Sequence, residues 1–401
     1  MVKLALLLAV AFAALAQTTK VDPARVTRLL QRAVIIDLHD DTTEMLLDEG
    51  YNLAEKHDFG QVDIPRMRAG HVGGIFFSIW TDPDRYTPTE AIRRALEQID
   101  AVRRETARHP ADLEPAGTAD EILAAHRRGR IAVLMGVEGG QAIDSDLAVL
   151  RTYFTLGARY MTLTHTVNTP WADSSGQPPE HNGLTDFGKQ VVREMNRLGM
   201  MVDISHVSDK TFFDALETSS APLIASHSSC RALASAPRNM TDDMLRALSA
   251  KGGVVHINYF EGFLDSDFAA RQSALQDLNK QQEAIDDATP KFGDRRQDGP
   301  AVRKINAERL AKLGRIPLSK LLDHFEHAVK VAGVDHVGLG SDFDGVDDML
   351  PEGIEDISKI PNIVRGLMER GFSDEDILKI LGGNTLRVMR EVEAAAKAAQ
   401  K

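Results

Sequence analysis

Several apolar runs in this chain end on a residue that can bind a cation. MVDIS runs into His206 and PLIAS into His227, with enough chain between them for one helix. A buried strand, a crossover helix and a parallel strand would place both imidazoles at neighbouring carboxyl ends. Neutral histidines gathered in this way suit zinc or a similar divalent ion. AVIIDLHDD (33–41) closes on His39 and Asp41, two apart and so on one face of a strand. IAVLMGVEGG (131–140) ends on Glu138, either a ligand or the partner of an arginine, beside glycines that permit close approach. ARYMTLTH (158–165) ends on His165, and HVGLGSDFDG (336–345) on Asp342 and Asp344. Charged groups converging on one mouth repel or demand desolvation, and a divalent cation resolves that conflict.

The elements that must carry these residues read as eight apolar strands alternating mostly with helices. VGGIFFSIW (72–80) and GGVVHINYF (252–260) supply the two strands not yet named. The pattern predicts an α/β fold, a (β/α)8 TIM-type barrel with its chemistry at the carboxyl ends of the strands. Thr87–Arg108 reads as a long helix opened by Thr87-Pro88-Thr89-Glu90. Residues 262–317 break the rhythm: they are charged, interrupted by Pro290, Gly293 and Pro300, and read as an insertion after strand seven with helices over Ser273–Asp286 and Ala301–Leu313. A lid or a subunit contact is the functional expectation for it, a solvated excursion the alternative. TVNTPWADSS reads as a turn-rich loop that puts Trp171 at the surface or the pocket rim.

The formal net charge is −12, and no basic cluster is evident. That argues against nucleic acid and anionic membranes as partners. The single cysteine, Cys230, excludes an intrachain disulfide. MVKLALLLAVAFAALAQ reads as a secretory signal: Lys3 is the basic end, Leu4–Ala13 the apolar run and Ala14-Leu15-Ala16 the cleavage site. The expected organisation is a signal peptide over 1–16 and one metallohydrolase domain over 17–401, secreted or periplasmic, with no stable membrane anchor.

At YMTLTHTVNTPWADSS, GLTDFGKQVVREMNRLGMMVDISHVS, PLIASHSSCRAL with APRN, and GSDFDGVDDMLPEGIEDISKIP, the chain resembles the membrane (renal) dipeptidase family of the amidohydrolase superfamily. The resemblance runs from about Ile35 to Arg387. It implies two zinc ions, one held by His39 and Asp41, the other by His206 and His227, bridged by Glu138 and a hydroxide. It implies Asp342 as the proton carrier, His165 on the substrate carbonyl, and Arg238 on the terminal carboxylate. The implied reaction is hydrolysis of free dipeptides, with a D-residue accepted at the carboxyl-terminal position, by a homodimer. The alternative is an amidohydrolase acting on another carboxylate-bearing amide or lactone, such as an N-acyl amino acid. Two departures stand out: the family's DGHND is DLHDD here, and Phe263 stands where relatives can supply a tyrosine.

Overall fold

The structure is a computed structural model that describes residues 21–293 and 299–399; the leader over 1–16 lies outside the described residues. The Val, Ile and Leu runs form β1 (Ile35–Asp40), β2 (Val72–Trp80), β3 (Leu113–Pro115), β4 (Ile131–Glu138), β5 (Ala158–Thr162), β6 (Met201–Asp203), β7 (Ile224–Ala225), β8 (Val254–Ile257) and β9 (Val337–Leu339). Strands buried on both faces need no polar alternation, which is why they read as near-continuous apolar runs. Every pairing is parallel. The order is β2-β1-β9-β8-β7-β6-β5-β4-β3, and an additional β2–β4 pairing closes eight strands into the expected (β/α)8 barrel. The remaining strand, β3, borders the first residues of β4, ahead of the point where β5 joins at Met135. Sequence reading does not find β3, because three residues show no period and Pro115 cannot donate to a ladder.

Packing inside the barrel depends on small residues facing large ones. A Cβ on Gly136 of β4 would lie 1.9 Å from the Tyr160 ring, and one on Gly340 would lie 2.0 Å from the Ser226 carbonyl oxygen. Both glycines are therefore places where a neighbour occupies the side-chain volume.

The helices follow their capping signals. Thr87 and Glu90 form a reciprocal capping box that opens Pro88–Arg108. From that helix the buried Arg94 makes a bidentate pair with Asp48, at 2.8 and 2.7 Å, and fastens the helix Thr42–Asp48 that follows β1. The insertion contains Glu261–Leu264, Ser266–Ser273, Gln276–Ala288 and Gly299–Leu313. Its last helix matches expectation closely; the helix expected from Ser273 starts instead at Gln276, after a turn at Ala274 and Leu275, and runs on to Ala288. Arg85 donates to the carbonyls of Asp286 and Thr289 at 2.9 and 2.6 Å, and Tyr86 to that of Lys291 at 2.8 Å. On the opposite flank Arg303 meets Glu49 at 2.6 Å. These bonds hold the insertion against the loops after β1 and β2.

Trp171 departs from expectation. It is 1 % exposed and packs against Phe187, with its ring filling the space beside Gly140. The loop carrying it is polar, but burying one large aromatic outweighs leaving it at the rim.

Candidate active site

Glu138, the last residue of β4, stands in the middle of the expected ligands. Its Oε2 lies 3.3 Å from His39 Nε2, while its Oε1 lies 3.1 Å from His206 Nε2 and 3.3 Å from His227 Nε2. His39 Nε2 is also 3.4 Å from Asp41 Oδ2 and 3.9 Å from Asp342 Oδ1. His165 Nε2 is 3.6 Å from Glu138 Oε1. The expected histidines and carboxylates are thus brought together. Three sets could each hold an ion: His39, Glu138 and His227; Glu138, His165 and His206; His39, Asp41 and Asp342.

His39 and Glu138 are still within β1 and β4, whereas the chain leaves the strand before several of the other groups. Asp41 follows β1 and starts the next helix, His206 lies beyond β6 at φ +66°, and Asp342 lies beyond β9 at φ +66°. Left-handed backbone at residues other than glycine costs of order 1–3 kcal/mol and persists only where its surroundings enforce it. Here it turns two side chains into the mouth of the barrel. Asp344 turns away: Thr42 donates to it at 2.6 Å and the Gln61 amide at 2.6 Å. Of the two aspartates closing HVGLGSDFDG, Asp342 therefore faces the cluster.

Electrostatics give the test of fit for a cation. His39 Nε2 is buried and has no hydrogen-bond partner, so its lone pair or proton is unsatisfied. Burial, then the neighbouring Asp41, pushes the Asp342 carboxyl up to about 7. Burial alone would raise Glu138, but the rings gathered around it, His39 first and then His165, His206 and His227, hold it well below the usual range. Burial and then nearby positive charge, from Arg238 and from His165 or His39, drive His206 and His227 well below the ordinary imidazole value. For Glu138, His206 and His227 these are the protonation states that ligation requires; His39, against its burial, is raised well above the ordinary value by Tyr160, Glu138 and Asp41, so a cation bound there would displace a proton. The donor set is nitrogen and oxygen only, as borderline divalent ions prefer.

Three supports escape a reading of the sequence. Tyr160 Oη lies 2.7 Å from His39 Nδ1. Asn258 donates to Asp342 Oδ2 at 2.7 Å and is itself fixed by the Phe260 amide, which donates to its Oδ1 at 2.6 Å. The buried Asp203 accepts from groups around His227. The only sign of them in the sequence is a polar residue inside or just after an apolar run.

A chamber of about 550 Å³ opens onto the cluster. Glu138, His165, His206 and Asp342 lie at one side of it, and Gln282, Val302 and Arg303 of the insertion form part of its wall. Arg238 is not among the lining residues, but Phe263, which is, lies under its guanidinium at 5.4 Å. Arg238 donates to Ser228 Oγ at 2.8 Å and to the His227 carbonyl at 2.5 Å, and its Nε is unpartnered. Burial pulls it down to about 10, against the opposing pull of Asp342, Glu138 and Asp203.

The sequence profile of the membrane dipeptidase family, peptidase family M19, matches residues 23–401. An uncharacterised dipeptidase of Schizosaccharomyces pombe is 37% identical over 393 residues, 93% of this chain and 83% of that one. Among solved structures, the probable dipeptidase PvdM of Pseudomonas aeruginosa is similar at 25% identity with a TM-score of 0.77, over 94% of this chain and 100% of that one. A metallo peptidase of Rhodobacter sphaeroides, solved with a phosphinate mimic of L-Ala-D-Ala, is 25% identical with a TM-score of 0.73, over 90% and 99%. A match across nearly the whole described barrel, joined to this cluster of ligands, places the chain in the membrane dipeptidase family and makes it a metal-dependent dipeptidase.

Proposed function

We propose that the protein is a binuclear zinc dipeptidase that tolerates a D-residue at the carboxyl-terminal position. The observation that carries the reading is Glu138, whose two oxygens face different ligand groups, His39 on one side and His206 with His227 on the other. His39 and Asp41 would hold one zinc, His206 and His227 the second, with Glu138 shared. When bound, the two ions supply Lewis acidity and a water that is nucleophilic near neutral pH.

The chain's own groups do the rest. Asn258 occupies Asp342 Oδ2, so Oδ1, the oxygen facing His39, is left to take the water's proton and hand it to the leaving amine. His165, kept neutral by burial, presents its ring to the substrate carbonyl from beside Trp80. Arg238 stands behind Phe263 of the chamber wall, and among the described residues no carboxylate forms an ion pair with it, so we assign its charge to the carboxylate of a dipeptide. The phosphinate mimic of L-Ala-D-Ala bound by the Rhodobacter relative supports the tolerance of a D-residue.

Zinc-loaded protein given matched L-Xaa-L-Xaa and L-Xaa-D-Xaa dipeptides should turn over both series, at two zinc per chain. No turnover across the panel rejects the reading. Arg238→Ala should raise KM sharply for dipeptides; an unchanged KM would favour an amide or lactone recognised without its carboxylate. We further read residues 1–16 as an export signal and residues 17–401 as one domain, on the strength of the Lys3, Leu4–Ala13 and Ala14-Leu15-Ala16 pattern. Exported protein should then begin at Gln17. Family likeness supports a homodimer, which solution mass checks.

A further inference from the structure

The groups behind His227 form a chain of hydrogen bonds with a defined direction. Asp203 ends β6 and is fully buried. Its Oδ1 accepts the backbone amides of Ser205 and Ser226, at 3.1 and 2.8 Å. Its Oδ2 accepts the hydroxyls of Thr162 and Ser226, at 2.5 and 2.6 Å. Ser226 Oγ lies 2.7 Å from His227 Nδ1.

A carboxylate has no proton to give, so the Ser226 hydroxyl must point its hydrogen at Asp203. The side of Ser226 Oγ facing the ring is then a lone pair, and only a protonated Nδ1 can satisfy it. Nε2 of a neutral His227 is then left without a proton, 3.3 Å from Glu138 Oε1 and 2.9 Å from His206 Nε2, so the hydrogen in the His206–His227 contact comes from His206. We propose that Asp203 is a positioning residue that sets the tautomer of His227 through Ser226, and so presents the lone pair to the metal. The inference rests on the binuclear reading for its consequence, but not for the hydrogen-bond polarity itself. Histidine ligands generally depend on such a partner at the far nitrogen, and its loss typically weakens metal affinity by ~10–100-fold. Here a serine stands between carboxylate and imidazole.

Asp203→Asn is the informative change. The two backbone amides demand an acceptor at the Oδ1 position, so the new amide nitrogen falls where Oδ2 was. It then donates to Ser226 Oγ, turns that hydroxyl towards Nδ1, and moves the ring proton to Nε2, onto the metal face. In metal-free protein carrying ¹⁵N-histidine, with His227 assigned by His227→Gln, the wild type should show a protonated Nδ1 and a bare Nε2. Asp203→Asn should shift that balance towards protonated Nε2. In competition with a chromophoric chelator, Asp203→Asn and Ser226→Ala should each weaken one of the two zinc sites by ~10–100-fold. The double variant should lose no more than the weaker single variant, and Ser226→Thr should restore affinity. An unchanged His227 tautomer in Asp203→Asn overturns the proposal. So does a loss of affinity in Asp203→Asn that Ser226→Ala does not share, which would make Asp203 only a brace for the backbone. Absence of zinc binding by the wild type would instead remove the binuclear reading, and the ring spectrum would still decide the tautomer.

Discussion

At the scale of single residues, the groups that would hold a cation differ, on the proposed reading, from the one that would move a proton. Asp342 stands farther from His39 Nε2, at 3.9 Å, than Asp41 or Glu138 do, at 3.4 and 3.3 Å, and Asn258 holds its other oxygen, so on the proposed reading it is the proton carrier. Asp342→Asn should therefore cut kcat by roughly 100- to 10,000-fold while leaving two zinc per chain, as measured by turnover and metal analysis on the same sample. Tyr160 acts from the other side. Its hydroxyl is the partner of His39 Nδ1, so Tyr160→Phe should lower zinc affinity by ~10-fold or more with little change in KM, because nothing that touches a dipeptide is removed.

At the scale of elements, the barrel's closure and the site's geometry depend on the same contacts. Gly340 follows β9 with the Ser226 carbonyl where its Cβ would be, and Ser226 precedes His227. Gly340→Ala should force the backbone after β7 outward. It should cost about 1–3 kcal/mol in denaturant unfolding and lose metal affinity as well, whereas an overpacked site remote from the mouth would lose stability alone. The helix after β1 is held differently, by the buried Arg94–Asp48 pair. Asp48→Ala leaves a buried guanidinium with the longer Glu44 contact, at 3.4 Å, and the Tyr86 ring, at 5.9 Å, and should destabilise by ~3 kcal/mol or more. The pair Arg94→Met with Asp48→Leu should recover most of that loss, since an apolar pair of similar volume avoids the desolvation cost.

At the scale of the whole molecule, stability is coupled to protons through a histidine that is not among the proposed ligands. His256 lies in β8, with Nδ1 2.9 Å from the Ala225 carbonyl and Nε2 3.0 Å from Thr385 Oγ1. Burial drives it down to about 3 from an ordinary value near ~6.5. A depressed histidine binds its proton more readily in the unfolded chain. Its contribution is therefore present above pH ~6.5 and is lost as pH falls from there towards about 3. The stability deficit of His256→Gln relative to wild type should narrow over that window, as seen in denaturation midpoints at stepped pH; a constant deficit would contradict the shift. Metal removal acts on the same equilibrium from the other direction. With free zinc at about 100 times Kd, each site adds ~2.7 kcal/mol, so chelation should lower Tm by several degrees in zinc-loaded protein. No helix among the described residues is long and apolar enough to cross a membrane.

The order of strands and the residues at their carboxyl ends were legible in the chain because both are local. An apolar run of four to eight residues announces a buried strand, and a histidine or carboxylate at its end violates the run's own logic. His39, Asp41, Glu138, His165, His206, His227 and Asp342 were visible for that reason. What surrounds them was not. Tyr160, Asn258 and Asp203 look like ordinary polar interruptions, since their meaning lies in partners 121, 84 and 23 residues away. The short β3, the burial of Trp171 and the packing of the insertion against the chamber likewise depend on pairings across the fold rather than along it. Sequence specified which atoms could bind an ion, because that is a property of side-chain chemistry. Only the closed barrel decided which nitrogen, which oxygen and which proton face each other, because hydrogen-bond direction exists between residues and not within them.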